Sequence, residues 1–404
     1  MCSVKIPITK AMFDHAEKEA IIKPLETGWV VQGPNVKTFE EKFAAFTKTP
    51  YAQALSNCTT ALHLGLLVMK IGPGDKVIVP SFTYVASANA VEYTGADVVF
   101  CDIDLSTFNI NTHHLEQLLK NDPAIKAIMP VHLFGLCADM PAIMALADQY
   151  QVQVIEDAAC AFDAWIGNQH AGTFGTCGCF SFHPRKSITT GEGGMLITHN
   201  AEFAQSISQL KDHGASKSDL TRHKEKGGSL LPDFKMRGYN YRMTDLQGAL
   251  GVAQIQKASQ IMSGRRRIAK LYDHALQSIP QLLIPTSPDH YQHGYQSYVC
   301  LFQGNEKLTH LTIEKIDRLN AQRNSFMQAL EEKEIATRQG THAVHTLTYY
   351  ADRYQHKPHD FLMSYAADRL SITLPVYADM TDEEFNYVIE NIHEALGQCV
   401  EFVA

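Results

Sequence analysis

Between about Lys76 and His199, short apolar runs alternate with segments of helical periodicity, and this alternation limits the folds open to the chain. The runs are rich in valine and isoleucine: KVIVPSF, ADVVFCDID, AIKAIMPVHLFG, VQVIEDAA, GCFSF and GMLITH. Segments such as ASANAVEYTG and DMPAIMALADQYQ lie between them and have the spacing of helices. Runs that are apolar on both faces indicate a mainly parallel sheet buried between helical layers. The pattern predicts an α/β fold whose functional side chains lie beyond the carboxyl ends of the strands.

The pattern changes after MTDLQGALGVAQI, a predicted helix on which Leu246, Leu250 and Ala253 share one face. The last third has one strand candidate, YQSYVCLFQ, and helical segments such as RNSFMQALEEKEI and DEEFNYVIENIHEAL. A chain of 404 residues is long enough for two domains. We expect a large α/β domain at residues 1–255, with the option that its N-terminal segment packs elsewhere, and a smaller α+β domain at residues 256–404. The polar stretch from Gly214 to Ser229 is predicted to be a surface loop that could equally shape a site.

The charge balance disfavours nucleic acid as the main partner, because 35 basic and 43 acidic residues give a net charge of −8. The dense basic run Arg265, Arg266 and Arg267 is predicted to lie on a solvated helix face or a subunit contact. Nine cysteines without metal-ligand spacing indicate reduced thiols and no metal site. The sequence has no apolar signal segment and no apolar run of membrane-spanning length. We therefore expect a cytoplasmic protein without membrane association.

Two polar residues follow apolar runs and suggest a cofactor. Asp157 comes after VQVIE, and Lys186 follows CFSF in a segment of hydroxyl and glycine residues. The common nucleotide-binding and zinc-protease signatures are missing from the sequence. A carboxylate and an amine at neighbouring strand ends suit pyridoxal 5′-phosphate (PLP), since the lysine forms a Schiff base with its aldehyde and the carboxylate holds its pyridine nitrogen protonated. The alternative is that Asp157 caps a helix and Lys186 is a loop lysine.

A predicted phosphate cradle supports the cofactor interpretation. The stretch LSNCTTALHLGLL places Asn57, Thr59 and Thr60 directly before an apolar helical pattern. Free amides and the helix dipole at such a point attract phosphate, although an ordinary helix cap has the same residues. Tyr84, which follows another predicted strand, could stack on a flat ring or pack in the core. The order of these features along the chain favours a PLP site.

The residues now named match a known family. The chain resembles the DegT/StrS sugar-nucleotide aminotransferases, which are fold type I PLP enzymes of the aspartate aminotransferase superfamily. The resemblance covers nearly the whole length. It rests on the following segments: GWVVQGPNVKTFEEKFA, SNCTTALHL, GDKVIVPSFTYVASANAVEYTGADVVFCDID, IMPVHLFG, IEDAACA, FSFHPRK, TTGEGGML and GYNYRMTDLQGALG. It implies a seven-stranded, mainly parallel sheet between helices, and a homodimer with its two active sites at the interface.

The resemblance also implies roles for individual residues. Lys186 looks like the Schiff-base lysine, and Asp157 looks like the partner of the pyridine nitrogen. The cofactor's phosphate would be held by the amides of Thr59 and Thr60, by the Ser181 hydroxyl and by Asn240 of the other subunit, while Tyr84 would stack on the ring. The residues expected to contact the sugar nucleotide are Arg338, His345 and His183.

Two positions depart from the family pattern. The family usually has glutamine three residues after the aspartate, where it contacts the cofactor's phenolic oxygen, and this chain has Cys160. A thiol is a far weaker donor than an amide. Cys58 likewise replaces the usual glycine of the SNGT segment. Neither change removes a group that the chemistry requires.

The resemblance implies transfer of an amino group from L-glutamate to a keto group of a nucleotide-linked 4-keto-6-deoxyhexose, with pyridoxamine 5′-phosphate (PMP) as the intermediate form of the cofactor. The segments TRQGTHAVHTL and SFHPRKSITTGEGGM resemble most the branch of the family that aminates C4, and amination at C3 is the nearest alternative. A PMP-dependent dehydratase is a further alternative, which Lys186 disfavours because those enzymes have histidine there. A nonenzymatic regulator of the same fold is also open. The amino sugar nucleotide would serve surface polysaccharide or glycan biosynthesis.

Overall fold

A computed structural model of the chain describes residues 5–217, residue 220 and residues 231–401. Most of the predicted loop from Gly214 to Ser229 lies outside these residues. The strands are as follows: β1 (Tyr51–Leu55), β2 (Lys76–Pro80), β3 (Phe82–Thr83), β4 (Asp97–Cys101), β5 (Ile125–Ile128), β6 (Gln153–Asp157), β7 (Trp165–Ile166), β8 (Gln169–His170), β9 (Cys177–Ser181), β10 (Gly194–Thr198), β11 (Leu282–Leu283), β12 (Tyr291–Gln292), β13 (Tyr298–Phe302), β14 (His342–Ala343) and β15 (Ser371–Leu374).

The helices of the described residues are α1 (His15–Thr27), α2 (Pro34–Thr47), α3 (Cys58–Val68), α4 (Ala86–Glu92), α5 (Thr112–Asn121), α6 (Met140–Tyr150), α7 (Ala201–Leu210), α8 (Asp245–Gln256), α9 (Ala258–Leu276), α10 (Ile313–Glu332), α11 (Thr348–Tyr354), α12 (Leu362–Leu370) and α13 (Asp382–Glu401). Short 3₁₀ turns lie at Leu133–Gly135, Val344–Thr346 and Pro358–Phe361. Several helices begin where a side-chain oxygen accepts a first-turn amide: Asp14, Asn57, Asn111, Asp139, Asn200, Thr244 and Thr312. These caps explain the local start points of the helices.

The central sheet has seven strands in the order β1-β10-β9-β6-β5-β2-β4. Strands β9, β6, β5, β2 and β4 are parallel, while β10 is antiparallel to both β9 and β1. The predicted seven-stranded, mainly parallel sheet is therefore confirmed. All six apolar runs of the sequence form its strands, and β1 completes it at one edge.

Helices cover both faces of this sheet. One apolar cluster joins the sheet to α3 and α4 and includes Leu64, Val79 and Ile155. A second cluster joins the opposite face to α5 and α6 and includes Ile78 and Ile143. Residues 78 and 79 are neighbours on β2 and point to opposite faces, as strand geometry requires. Burial on both faces explains why the strands read as continuous apolar runs.

The C-terminal part contains a three-stranded antiparallel sheet, β11-β13-β15, packed with α9, α10 and α13. The predicted strand YQSYVCLFQ contains β13, and the two predicted helices lie in α10 and α13. Ile6 also packs in this core and bridges Ile335. Conversely, two residues of the C-terminal part, Tyr350 and Phe361, pack in the core of the central sheet. The division at residue 255 stays a prediction.

The arginine run on α9 differs from its prediction. Arg265 is only 1% exposed, and its guanidinium donates to the carbonyls of Tyr295 and Gln296 at 2.9 and 2.6 Å. Arg266 pairs with Asp163 at 2.6 Å. Arg267 alone has an exposed side chain, which pairs with Asp382. The helix packs against two loops whose carbonyls need donors, so the run anchors the fold instead of forming a solvated face.

We also searched the described residues for membrane-spanning helices and for metal sites. None of their helices is both long and apolar enough to cross a membrane. The same residues contain no group of three or more histidine, cysteine or acidic side chains placed to hold a metal ion.

Candidate active site

The start of α3 forms one wall of the site. Asn57 caps the helix by accepting the Thr60 amide at 2.9 Å, and the Thr60 hydroxyl donates to the Asn57 carbonyl at 2.8 Å. The Thr60 amide is therefore already bonded within this turn. The amides of Cys58 and Thr59 precede the first intrahelical donor, which leaves them able to hold an anion.

Strand β10 passes closely against this turn because residue 194 is glycine. A Cβ atom at Gly194 would lie 2.3 Å from the carbonyl carbon of Asn57 and 2.7 Å from the Cys58 nitrogen. Both distances are far inside van der Waals contact, so any side chain would push the turn away. The glycine of TTGEGG thus brings the start of α3 to the end of the sheet.

Asp157 lies at the carboxyl end of β6 and is 5% exposed. Its backbone is held on both sides, since its amide donates to the Pro130 carbonyl and its carbonyl accepts the His132 amide. Its carboxylate accepts the Ser87 hydroxyl at 2.7 Å and the Ala159 amide at 3.1 Å. Ser87 was not found from the sequence, because the two residues are separated by 70 positions and ASANAVEYTG carries only a helical pattern.

A second carboxylate, Glu156, secures the strand from its other face. Its side chain is completely buried. The carboxylate accepts a hydrogen bond from the His132 ring at 2.8 Å and three more, at 2.6–2.7 Å, from the backbone amides of Gly172, Phe174 and Gly175. The Nδ1 atom of His132 accepts the Ala138 amide, so Nε2 carries the proton. A buried carboxylate with this many donors is a stable anchor for the end of β6.

Lys186 reaches the same edge of the sheet. Its amine donates to the Cys160 thiol at 3.1 Å. Burial acts to lower the pKa of the Lys186 ammonium, but Cys160 and then Cys58 and Asp157 outweigh it and raise the pKa above its ordinary value. Burial, with the charge of Asp157, raises the pKa of the Cys58 thiol well above its usual range. The Lys186–Cys160 hydrogen bond brings the amine to the turn after β6, in which the Ala159 amide donates to the Asp157 carboxylate.

Ser181 and His183 lie between these groups along the chain. Ser181 ends β9, and its hydroxyl accepts the His183 amide at 3.4 Å. The carbonyl of His183 accepts the Lys186 amide at 2.8 Å, so this turn directs the lysine back towards β6. Burial is the main cause that lowers the pKa of the His183 ring, and the nearby Lys186 charge adds to it. His183 is therefore a neutral side chain next to the lysine.

Tyr84 and Asn240 both have exposed side chains. Tyr84 follows β3 and is 65% exposed. Asn240 lies in an extended segment paired with Asp212, between Tyr239 and Tyr241, whose stacked rings turn inward to His63. Because side chains alternate along an extended segment, Asn240 points outward. Both side chains are free to contact something beyond their own chain's packed core.

Arg338 and His345, the two C-terminal residues predicted to contact the sugar nucleotide, differ in their exposure. Arg338 pairs with Thr373 through its backbone, and the residue is exposed. His345 is completely buried, with Nδ1 2.5 Å from the Ser81 hydroxyl and its ring packed edge-on against Phe361. Burial lowers the pKa of His345 to about 4. The predicted contact of His345 with substrate is not supported by this position, because the ring joins two segments inside the molecule.

Comparison with known proteins decides the family. The model of the DegT/DnrJ/EryC1/StrS aminotransferase family matches residues 12–393. The chain belongs to this family. It is 36% identical over 390 residues to the spore coat polysaccharide biosynthesis protein SpsC of Bacillus subtilis, covering 96% of each chain. It is 34% identical over 393 residues to the GDP-perosamine synthase of Escherichia coli O157:H7, covering 96% of this chain and 98% of that protein.

Solved structures agree with this assignment. The Streptococcus pneumoniae protein Spr1654 in its PMP form has a TM-score of 0.88 at 26% identity, covering 98% of this chain and 100% of that one. The aminotransferase TlmJ of Streptoalloteichus hindustanus has a TM-score of 0.85 at 26% identity, with 98% and 100% covered. The DegT/DnrJ/EryC1/StrS member described here is thus a fold type I, PLP-dependent sugar aminotransferase, and PLP and PMP are the two forms of its cofactor.

The site's own residues fit this cofactor. They provide an amine at Lys186, a buried carboxylate at Asp157, and a turn at Cys58 and Thr59 that β10 approaches through Gly194. When bound, PLP supplies an aldehyde that accepts an amine and a ring that withdraws electrons from the bonds around that nitrogen. The assignment of each residue to a part of the cofactor is taken up below as a proposal.

Proposed function

We propose that this sugar aminotransferase takes an amino group from L-glutamate and transfers it to the C4 keto group of a nucleotide-linked 4-keto-6-deoxyhexose. The observation that carries the proposal is the meeting of Lys186, Cys160 and Asp157 with the start of α3 at one edge of the sheet. The likeness to a GDP-perosamine synthase supports a sugar nucleotide as the acceptor. The likeness to a spore coat polysaccharide biosynthesis protein supports a role in making surface polysaccharide.

Lys186 is the catalytic residue of this proposal. Its amine would hold the cofactor through the aldehyde and, once the amino donor had freed it, would be the group that takes and returns the proton of the donor's α-carbon. The Cys160 thiol accepts a hydrogen bond from the Lys186 amine at 3.1 Å and so lies where it can influence the proton on that amine.

Asp157 holds the proton on the cofactor's pyridine nitrogen. A buried carboxylate held in place by two hydrogen bonds is suited to pair with a cationic ring. The amides of Cys58 and Thr59, with the hydroxyl of Ser181, would hold the phosphate, whereas the amide and hydroxyl of Thr60 are both bonded to Asn57. Tyr84 would cover the ring, since its exposed side chain stands just after β3.

Arg338 and His183 are the proposed contacts to the sugar nucleotide. A diphosphate needs cationic or amide partners, and the exposed Arg338 supplies the first kind. His183, a neutral ring beside Lys186, is placed to donate to or accept from a sugar hydroxyl. His345 contributes indirectly, by fixing the segment after Arg338 to Ser81.

A second copy of the chain is part of the proposal. Asn240 points away from its own core and would reach the phosphate of the neighbouring subunit's cofactor. Apolar side chains on and around α1 are exposed and suit a subunit contact: Phe13, Ile22, Leu25, Val30 and Val31. Burial of such side chains is a common source of dimer stability.

The proposal is tested with protein saturated with PLP. L-glutamate alone should release one equivalent of 2-oxoglutarate per site and convert the absorption band of the bound cofactor. Adding keto sugars then identifies the acceptor, using a panel that varies the nucleotide among UDP, GDP and dTDP and the keto position between C3 and C4. Recovery of the absorption band of bound PLP with the C4-keto compounds supports the proposal. Recovery only with the C3-keto compounds contradicts amination at C4. The Lys186→Ala variant is the control and should convert neither substrate.

A further inference from the structure

Among the described residues, the carboxylate of Asp157 accepts one side-chain hydrogen bond, from the hydroxyl of Ser87. The oxygen–oxygen distance is 2.7 Å, and Ser87 is 1% exposed. Ser87 lies in the first turn of α4, three residues after Tyr84. Its hydroxyl is also 3.3 Å from the Tyr84 carbonyl, but the shorter contact to a charged acceptor is the stronger one.

The Ser87 hydroxyl is itself oriented by a third group. The Thr83 hydroxyl lies 3.0 Å from it, and Thr83 is 1% exposed. A carboxylate accepts only, so the Ser87 proton points to Asp157 and Thr83 donates to the oxygen of Ser87. Thr83 belongs to β3, which pairs with β14 at His342. The Thr83 hydroxyl on β3 therefore donates to Ser87, and the Ser87 hydroxyl donates in turn to the Asp157 carboxylate.

We propose that Ser87 is a positioning residue that fixes the rotation of the Asp157 carboxylate, so that its remaining lone pairs would face the cofactor's ring nitrogen. The inference rests on the proposed role of Asp157. One carboxylate oxygen is occupied by Ser87 and the other accepts the Ala159 amide, which leaves a single orientation for the group. Without Ser87, the carboxylate would keep one weak bond to its own turn and would rotate.

The test measures the dissociation constant of PLP for full-length protein by absorbance titration. Ser87→Ala should weaken PLP binding about 10- to 100-fold, as expected for loss of a hydrogen bond to a charged group. It should also shift the pH dependence of the bound cofactor's absorption, because the ring proton loses support. Ser364→Ala is the matched control, since the Ser364 hydroxyl donates to Asp102 at the same 2.7 Å and is also fully buried. The control should leave PLP binding unchanged.

A double variant separates positioning from a general loss of structure. If Ser87 acts through Asp157, adding Ser87→Ala to Asp157→Ala should change PLP binding by less than about twofold. An equal loss in both backgrounds, a loss of the same size in Ser364→Ala, or parent-like binding and pH dependence in Ser87→Ala would each overturn the inference. Parent-like binding and absorption in Asp157→Ala would instead refute the proposed role of Asp157.

Two milder variants keep the test decisive if Ser87→Ala does not fold. Ser87→Cys retains a weak donor at nearly the same size and should give an intermediate loss. Thr83→Val removes only the group that orients Ser87 and should give a smaller loss in the same direction. Parent-like binding in both variants would overturn the inference.

Discussion

Three histidines are buried as neutral rings, and each has a depressed pKa. Burial lowers the pKa of His170 to about 4, of His293 to about 3 and of His345 to about 4, from an ordinary value of 6.5. All three are less than 10% exposed, at 1%, 7% and 0%. Each ring is used as a neutral hydrogen-bonding group, as in the pair of His345 with Ser81. Their conformations are therefore stable only while the rings stay uncharged.

We expect the protein to lose stability as the pH falls from 7 to 5. Below pH 6.5 the unfolded chain binds protons at these histidines and the folded chain does not, so the free energy of unfolding decreases with falling pH. Each ring with a pKa near 4 accounts for about 2 kcal/mol at pH 5. The thermal unfolding midpoint at pH 5 should lie clearly below that at pH 7.5.

His345→Gln provides the comparison, because glutamine does not titrate. This variant is expected to be less stable at pH 7.5 and to lose less between pH 7.5 and pH 5 than the parent protein. Equal pH sensitivity in the two proteins would show that His345 is charged, or exposed, in the folded state.

At the scale of a single helix, α9 shows how neighbouring identical residues acquire different roles. Arg265 is buried with its guanidinium between two carbonyls, and burial lowers its pKa to about 10. Arg267, two residues later, has a half-exposed side chain paired with Asp382 on α13. The helical turn alone directs the two side chains to different surroundings.

Arg265→Met should destabilise the protein by about 3 kcal/mol, because the carbonyls of Tyr295 and Gln296 lose their buried donor. Arg267→Met, the matched change on the same helix, should cost less than about 1 kcal/mol, as is usual for a surface ion pair. Chemical unfolding midpoints of the two variants measure the difference. Similar losses in both would contradict the assignment of Arg265 as a buried anchor.

At the scale of the whole molecule, the proposed dimer makes each active site depend on two chains. In the proposed arrangement, Lys186 and Asp157 come from one chain and Asn240 from the other. Asn240→Ala should then weaken cofactor retention, and Lys186→Ala should abolish turnover. Each variant alone has two identical, impaired sites.

Mixed dimers of these two variants should regain activity at limiting PLP. In a mixed dimer, the chain with Asn240→Ala keeps its lysine and receives an intact Asn240 from its neighbour, so one site is whole. Random mixing in equal amounts should give about a quarter of the parent activity, since half of the dimers are mixed and each has one whole site. Each variant refolded or exchanged with itself is the control. Activity no higher than the mean of the two controls would show that Asn240 serves its own chain.

The sequence alone predicted most of the central sheet, and it suggested Asp157 and Lys186 as cofactor-binding residues, a role that stays a proposal. Strand alternation and helical spacing are local patterns, so the six apolar runs predicted six strands of the central sheet, and Asp157 and Lys186 were recognised because they follow such runs. The resemblance to the aminotransferase family then indicated the cofactor and the fold, which the structure and comparisons confirm.

Only the tertiary structure decided which polar side chains are buried and with what they pair. Ser87 and Asp157 are 70 positions apart, Ser81 and His345 are 264 apart, and Arg265 bonds to carbonyls about 30 positions away. No periodic pattern records such pairs, because a buried polar group needs a partner only after distant segments have packed around it. For the same reason, the sequence suggested a substrate contact for His345 and a solvated face or subunit contact for Arg265, and both side chains are enclosed in the folded chain.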